Sequence, residues 1–421
     1  MPGQPPAGHA SEPPTGRTRP SRSRPRAASI AQTVPPPILV MPVFSPHQDA
    51  ALTAVARWLK AKPGAHGERQ VFRLFGYAGT GKTTLARHVA AGADGRVMFA
   101  AFTGKAALVM RSKGCRGAST IHRLIDRPQE TNTETPSFEL WQDGPASKAQ
   151  LIVIDECSMV DEELGRDLLS FGVPVLVLGD PAQLPPVQGG GFFTAAEPDV
   201  MLHEVHRQAQ NDPIVRLSME IRAGKRLTPG TYGLTQVVRR DGLDPQRVLG
   251  ADQVLVGRNV TRRAYNGRMR ERRGLADPLP VAGDKLVCLR NNRQKRLFNG
   301  GLWVVRKRRT RKSGLLAMRL APDEVLGGRG FAGGEPGEDD VKVSVLRECF
   351  AGGIEALEWK ERKHYDEFDF GYVLTVHKAQ GSQWDDVVLF DESFAFPDSR
   401  NRWLYTGVTR AAKKLTVVVT G

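Results

Sequence analysis

The chain has 421 residues, 40% of them hydrophobic and 25% charged, which is enough for two or more cores and ordinary for a soluble globular protein. No run approaches the roughly 18 apolar residues of a membrane-spanning helix, which excludes that class. Sixty Lys and Arg against 45 Asp and Glu give a net charge of +15, so long-range electrostatics favour a polyanionic partner, nucleic acid being the commonest.

In chain order, residues 1–37 hold ten prolines and five arginines (Arg17, Arg19, Arg22, Arg24, Arg26) against the single acid Glu12. Without hydrophobic periodicity to sustain a core, residues 1–40 read as a disordered basic tail. An Arg-rich, acid-poor leader also fits an organelle transit peptide, but its proline density opposes the amphipathic helix such peptides form; the cytoplasm is the expected location. Met41, directly before the folded pattern, is an alternative start. Ser45-Pro46 then marks a helix N-terminus, with Ser45 as cap and Pro46 in the first turn.

Beyond it, short β-branched runs alternate with helical stretches: VFRLF at 71–75, VMFAAF at 97–102, LIVIDE at 151–156 and VPVLVLGD at 173–180, then QVLVG at 253–257, YVLTV at 372–376, DVVLF at 386–390 and LTVVV at 415–419. That alternation predicts an α/β chain in two halves, each with a parallel sheet. A polar stretch at about 126–148 reads as a small insert in the first half, a hairpin. A Gly- and charge-rich stretch at about 283–367, with alternating runs such as GLWVVRK and LLAMRL, reads as a small β insert in the second. The basic run RKRRTRK at 306–312 is either a solvated strand edge or a nucleic-acid track. Cys115, Cys157, Cys288 and Cys349 form no CxxC pair, so a reducing compartment and no structural zinc are expected; His203 and His206 lack acidic or thiol company at metal spacing.

Chemistry concentrates in a few strings. GYAGTGKTT at 76–84 follows a predicted strand and opens a predicted helix, the context in which GxxxxGK[ST] binds phosphate. The loop residues Gly76, Ala78, Gly79, Thr80, Gly81 and Thr84 would cradle phosphate oxygens, backbone N–H groups turned inward at a helix N-terminus. Lys82 would bridge the β- and γ-phosphates and Thr83 would ligate Mg²⁺, so ATP and Mg²⁺ are the expected cofactors. The run LIVIDE ends in Asp155-Glu156 at the carboxyl edge of a sheet, where open α/β folds bind ligands; Asp155 would hold Mg²⁺ and Glu156 polarise the attacking water. Gln48 is either a bidentate partner for adenine or an ordinary surface residue. In GDPAQLPPV at 179–187, Gln183 would sense a γ-phosphate. Arg207, in LHEVHRQ, and Arg410, in LYTGVTRA, would reach that phosphate from outside the first half as arginine fingers.

Taken together, GYAGTGKTT, FTGKAA at 102–107, VIDECSMV at 153–160, GDPAQLPPV, VHRQ, TVHKAQGSQWD at 375–385 and LYTGVTRA resemble, in order and spacing, motifs I, Ia, II, III, IV, V and VI of superfamily 1 helicases. TIH at 120–122, the LPPV ending, HKAQGS and GDKLVCLRNNRQKRLFNGG at 283–301 are similar to the RecD-like group, phage Dda-type enzymes included, over about residues 41–421. The resemblance implies two RecA-like P-loop NTPase domains, 41–205 and 206–421, with a strand-splitting pin at about 126–148 and an SH3-like barrel at about 283–367. It implies an ATP-dependent helicase moving 5′→3′ on single-stranded DNA, with single-stranded and forked DNA as partners, single-strand-binding or recombination proteins as further ones, and a monomer as the working form. Carried over by position, Thr103, Gly104, Lys105, Thr120 and His122 would contact the DNA backbone. Thr375, His377, Lys378, Gln380 and Ser382 would link DNA to the nucleotide site. Hydroxyls, amides and backbone N–H groups grip phosphates without reading sequence. Where many relatives place a ribose-binding glutamate this chain has Gln383, which implies relaxed ribose discrimination. An RNA helicase of the same superfamily and an ATP-gated loading factor share these motifs. Cys157, after the acidic pair, is either oxidation-sensitive or a buried inert thiol.

Overall fold

The computed structural model describes residues 44–61, 70–129, 137–185, 191–205, 211–290, 292, 295, 297, 299–323 and 340–419, with the side chains of residues 105, 128, 129, 137, 138 and 355 excepted. The basic tail, His206 and Arg207 lie outside the described residues.

The first sheet has six parallel strands in the order Ser119–Thr120, Val97–Ala101, Leu151–Asp155, Val175–Gly179, Val71–Gly76, Val200–Leu202. Its central strands are largely apolar because both faces are covered. Leu74, Val153, Leu176 and Leu178 belong to one core, and Phe75, Ile152, Ile154, Val175 and Val177 to another, which is the period-2 alternation of a doubly wound sheet. The second sheet runs Val373–Thr375, Gln253–Val256, Trp384–Phe390, Ala411–Val419, Thr235–Arg239, Gly230–Tyr232; all its pairs are parallel except the last. It too buries two faces, Leu255, Leu374, Leu389 and Val417 on one and Val254, Val256, Val388 and Val418 on the other. The expected α/β halves are there. The strands Ser119–Thr120, Val200–Leu202, Gly230–Tyr232 and Thr235–Arg239 were not anticipated: they are short, three of them are sheet edges and the fourth lies beside one, where β-branched runs are not required.

Both expected inserts are built from antiparallel strands. Asp126–Gln129 pairs with Ser137–Leu140, so the first insert is a hairpin. The second is a five-stranded sheet in the order Val341–Val345, Leu316–Pro322, Leu302–Thr310, Lys285–Cys288, Phe368–Phe370, whose last strand passes the expected boundary at 367. Around it lies a separate core that includes Leu286, Trp303, Leu316 and Phe368. Within the basic run 306–312, residues 307–310 pair on one side only, with Leu316–Arg319, because the pairing with Lys285–Val287 ends at Val304, which is the strand-edge alternative; Arg308 turns back to Asp277 at 2.9 Å.

The anchor of this insert is Asp284, which is fully buried and accepts from Arg270 through both oxygens (2.9 and 3.0 Å), from Tyr372 Oη at 3.0 Å and from Val281 N at 2.7 Å. Arg270 lies in the last turn of the helix Asn259–Arg272 beside the second sheet, so the pair fixes where the insert leaves it. Asp284→Ala strands the buried guanidinium and is expected to cost about 3–5 kcal/mol, read as a lower urea midpoint; an unchanged midpoint would show that the anchor lies elsewhere.

Candidate functional site

The carboxyl ends of four strands of the first sheet deliver the loop 76–84, Thr103, Asp155-Glu156 and Asp180 to one edge. Facing them are residues that precede two strands of the second sheet, Ser382-Gln383 before Trp384–Phe390 and Thr409-Arg410 before Ala411–Val419. A cavity of about 330 Å³ lies between, lined by Ala78, Gly79, Gly81, Lys82, Thr83, Thr84, Asp155, Glu156 and Gln183 from one side and Gly381, Ser382, Gln383 and Arg410 from the other. Its volume is within the range of small-ligand sites.

Gly81 caps the helix Lys82–Ala91 at φ 85°, a left-handed conformation that favours glycine. Lys82 Nζ donates to Gly76 O (2.6 Å) and Tyr77 O (3.0 Å), so the ammonium sits inside the loop. Thr83 Oγ1 donates to Asp155 Oδ2 at 3.2 Å, bringing the two expected metal ligands together. Burial, then the adjacent charge of Glu156, push the Asp155 carboxyl above its usual range; a nearby cation would reverse that. Among the described residues no group of three or more His, Cys, Asp or Glu is arranged to hold a metal ion. One hydroxyl and one carboxylate nevertheless fit Mg²⁺, which keeps waters and phosphate oxygens for its remaining positions.

Glu156 is the one non-glycine residue among those described with a positive φ, 53°. Such a conformation costs about 1–3 kcal/mol and persists where the surroundings impose it. Here it turns the carboxylate toward Arg410, with Oε1 3.9 Å from Nη1. Arg410 is buried and already oriented by Thr406 O (3.0 Å), Ser382 O (3.1 Å) and Thr409 Oγ1 (3.2 Å). Gln183 is 8% exposed, and its buried Oε1 has no hydrogen-bond partner although the residue lines the cavity. An orphaned buried acceptor is unfavourable unless a ligand or water meets it.

Gln48 is placed differently from the adenine-facing expectation. It is buried, is not among the cavity's lining residues, and its amide is spent on protein: Oε1 accepts from Ser45 N (3.0 Å) and Nε2 donates to Thr80 O (3.0 Å). The Ser45 cap is present as expected, and Gln48 completes a capping box that ties this helix to the phosphate loop. Gln383 is exposed at the cavity rim. Cys157 is fully buried, and burial followed by the Asp155 charge pushes its thiol far up, which is the inert reading.

The other expected contacts divide into two groups. Thr103 and Thr120 are N-caps of the helices Gly104–Ser112 and Ile121–Ile125, accepting from Ala106 N (3.1 Å) and Arg123 N (3.3 Å); His122 lies edge-on to Phe102. The Lys105 side chain lies outside the described residues. Thr375, Gln380 and Ser382 are buried. Burial depresses the affinity of both His377 and Lys378 for protons. Gln380 Nε2 donates to Leu184 O at 2.8 Å, so this amide bridges the two sheets' elements. Gly381, at φ 70°, lies against Thr103, where a Cβ would stand 3.1 Å from Oγ1.

Tyr405, Thr406, Asp180 and Leu184 were missed as site residues. They stand inside the strings LYTGVTRA and GDPAQLPPV, but their pairing across more than 200 residues has no local signal. Thr406 Oγ1 accepts from Leu184 N at 2.9 Å, and Tyr405 Oη donates to Asp180 at 2.7 Å.

An AAA-domain family model matches residues 59–241, and a UvrD-like helicase C-terminal domain model matches 370–418. The chain is 29% identical over 377 residues to the ATP-dependent RecD2 DNA helicase of Deinococcus radiodurans, covering 80% of this chain and 45% of that protein. It is 32% identical over 166 residues to the ATP-dependent DNA helicase dda of Enterobacteria phage T4, covering 36% and 37%. The chain thus spans less than half the length of either curated relative. Its fold is similar to the crystal structure of Bacteroides Pif1 bound to ssDNA, with a TM-score of 0.52 at 16% identity over 89% of this chain and 92% of that one. The ordered motifs, both matched domain models and these relatives support a superfamily 1 helicase of the RecD/Pif1/Dda group.

Proposed function

We propose that this chain is an ATP-driven DNA helicase that moves 5′→3′ on single-stranded DNA and separates the duplex ahead of it. The observation that carries the reading is the cavity completed from both sheets, with Lys82, Thr83, Asp155 and Glu156 on one wall and Arg410 on the other. Hydrolysis in a site of that kind can change how its two walls stand to each other. In this reading the two sheets are the RecA-like domains 41–205 and 206–421, the hairpin at 126–140 is the pin, and the five-stranded sheet is the SH3-like insert. RecD2 and dda, the curated relatives, are named as ATP-dependent DNA helicases.

Each residue has one task. The loop N–H groups and Lys82 bind the phosphates, and Mg²⁺, held by Thr83 and Asp155, would supply positive charge to them. Glu156 orients water and takes its proton. Gln183 Oε1, lacking a partner, would accept from that water. Arg410 would stabilise charge on the terminal phosphate as hydrolysis proceeds, joined by Arg207 from outside the described residues. Gln48 holds the loop rather than the base. Thr103, Gly104, Lys105, Thr120 and His122 would take DNA phosphates at two helix N-termini, where backbone dipoles favour anions. Thr375, His377 and Lys378 would do so from the second sheet, and Gln380 and Ser382 relay to the nucleotide.

Lys82→Ala is expected to abolish single-strand-stimulated ATP hydrolysis with the fold intact by circular dichroism; turnover like that of the unaltered protein would sink the site assignment. Arg410→Ala should lower kcat by about 10³-fold or more, the usual worth of an arginine finger, with a much smaller change in KM. Strand displacement decides function and polarity together. The reading expects unwinding of 5′-tailed and not 3′-tailed duplexes; stimulation by poly-U in preference to poly-dT would favour RNA, and stimulation without unwinding would favour a loading factor.

A further inference from the structure

The tip of the phosphate loop is held from the far side of the cavity. Ala78 N–H donates to Tyr405 Oη at 2.8 Å, and that hydroxyl donates on to Asp180 Oδ2 at 2.7 Å. Tyr405 is 1% exposed, so its hydroxyl is committed to these two partners. One residue earlier, the Tyr77 ring is covered by the Arg222 guanidinium, 3.5 Å from its centroid. Arg222 Nη1 is buried without a hydrogen-bond partner, which leaves the ring face as the contact that fixes this cation. The two helices that carry the grip, Pro213–Arg222 and Arg400–Val408, pack on each other and on strand Ala411–Val419 of the second sheet.

Two consecutive residues of a loop on the first sheet are therefore gripped by two mutually packed helices of the second. The geometry is intolerant, because hydrogen bonds of this length weaken steeply once donor and acceptor separate by about 1 Å. The same helical turn also places Thr406 on Leu184 N and, through Thr406 O, orients Arg410. Displacing Tyr405 thus displaces the groups that complete the site.

We infer that Tyr405 and Arg222 are positioning residues that latch the phosphate loop to the second sheet, so that the nucleotide's state and the placement of helix Arg400–Val408 set one another. The inference rests on the proposed ATP-driven reading and names its transmission. Neither side chain has to touch the reacting phosphate; each acts through the backbone or ring of the loop. The coupling is reciprocal by linkage, so a change at the loop must be felt in the helix as strongly as the reverse.

The test uses the full chain with Tyr405→Phe, which keeps the ring and removes the hydroxyl, and Arg222→Met, which keeps length and removes charge. Hydrogen exchange is followed over 76–84 and 400–408 with and without ADP and aluminium fluoride, alongside ATP hydrolysis with and without oligo-dT. For Tyr405→Phe the nucleotide-induced change over 400–408 should vanish while that over 76–84 remains. The oligo-dT-stimulated kcat should fall about ten-fold with KM for ATP moving by less than about three-fold. Arg222→Met should weaken the same response, with Arg222→Lys restoring part of it. Combining Tyr405→Phe with Asp180→Asn should be no worse than the worse single change, because both break one hydrogen-bond chain. A response over 400–408 that persists unchanged in both variants overturns the latch. Should Tyr405→Phe fail to fold, Arg222→Met decides on the same criteria. An unaltered protein that oligo-dT does not stimulate, yet whose 400–408 response depends on Tyr405, would end the motor reading and leave the latch standing.

Discussion

The loop Asp180–Leu184 has to satisfy two bodies at once, and the arrangement of the site depends on how it does so. Strand Val175–Gly179 delivers it from the first sheet, yet the Leu184 side chain is buried in the core of the second. Burying it contributes about 1.5–3 kcal/mol. Its backbone would be costly to bury alone, at about 1–3 kcal/mol for each unsatisfied group. Both groups are met from the second sheet's elements, the N–H by Thr406 Oγ1 and the C=O by Gln380 Nε2. Leu184 is thereby fixed next to Gln183, which lines the cavity, and Asp180 meets Tyr405 in the same loop.

That docking also explains the balance of charge. The protein carries +15 overall, but within the cavity the charges are matched: Asp155, Glu156 and Asp180 line it together with Lys82, Lys113 and Arg410. Burial raises the affinity of Asp155 and Asp180 for protons. Carboxylates held so are poorly satisfied alone and are natural seats for a cation or a donated hydroxyl. Thr83 and Tyr405 supply the hydroxyls. The strained backbone of Glu156 fits the same pattern, because a conformation that costs energy is retained where its neighbours dictate it.

Much of this was legible in the sequence, and the part that was not has a physical reason. Eight of the strands announced themselves as apolar runs because parallel strands covered on both faces must be continuously hydrophobic. The Ser45 cap, the loop 76–84 and the acidic pair Asp155-Glu156 after LIVI were readable because each depends on residues within a few positions. The short strand Thr235–Arg239 was not, since a five-residue run beginning Thr-Gln carries little apolar signal. Gln48 was only half legible: its type suggested base recognition or an exposed surface residue, whereas it is buried, with Ser45 N as a local partner and Thr80 O reached across 32 residues. Tyr405 was hidden in the same way. The motif LYTGVTRA drew attention to its arginine, and nothing local reveals that the tyrosine meets Ala78.

A site confined to one sheet could hydrolyse a nucleotide without consequence for the rest of the chain. Here every group opposite the phosphate loop arrives on a helix or loop that also packs in the second sheet's core, as Trp403, Tyr405 and Val408 do around Arg410. Close-packed interiors respond to small displacements by switching between arrangements rather than deforming smoothly. A change of a few tenths of an ångström at the loop therefore cannot be absorbed locally by Arg410 or Tyr405. It must be passed to the whole helix Arg400–Val408, and through it to the strand that follows. The insert is tied to the same sheet at Asp284, which Arg270 and Tyr372 hold. What the fold provides is a cavity whose two walls come from two sheets, tied together where Leu184 enters the second sheet's core and where Ala78 meets Tyr405.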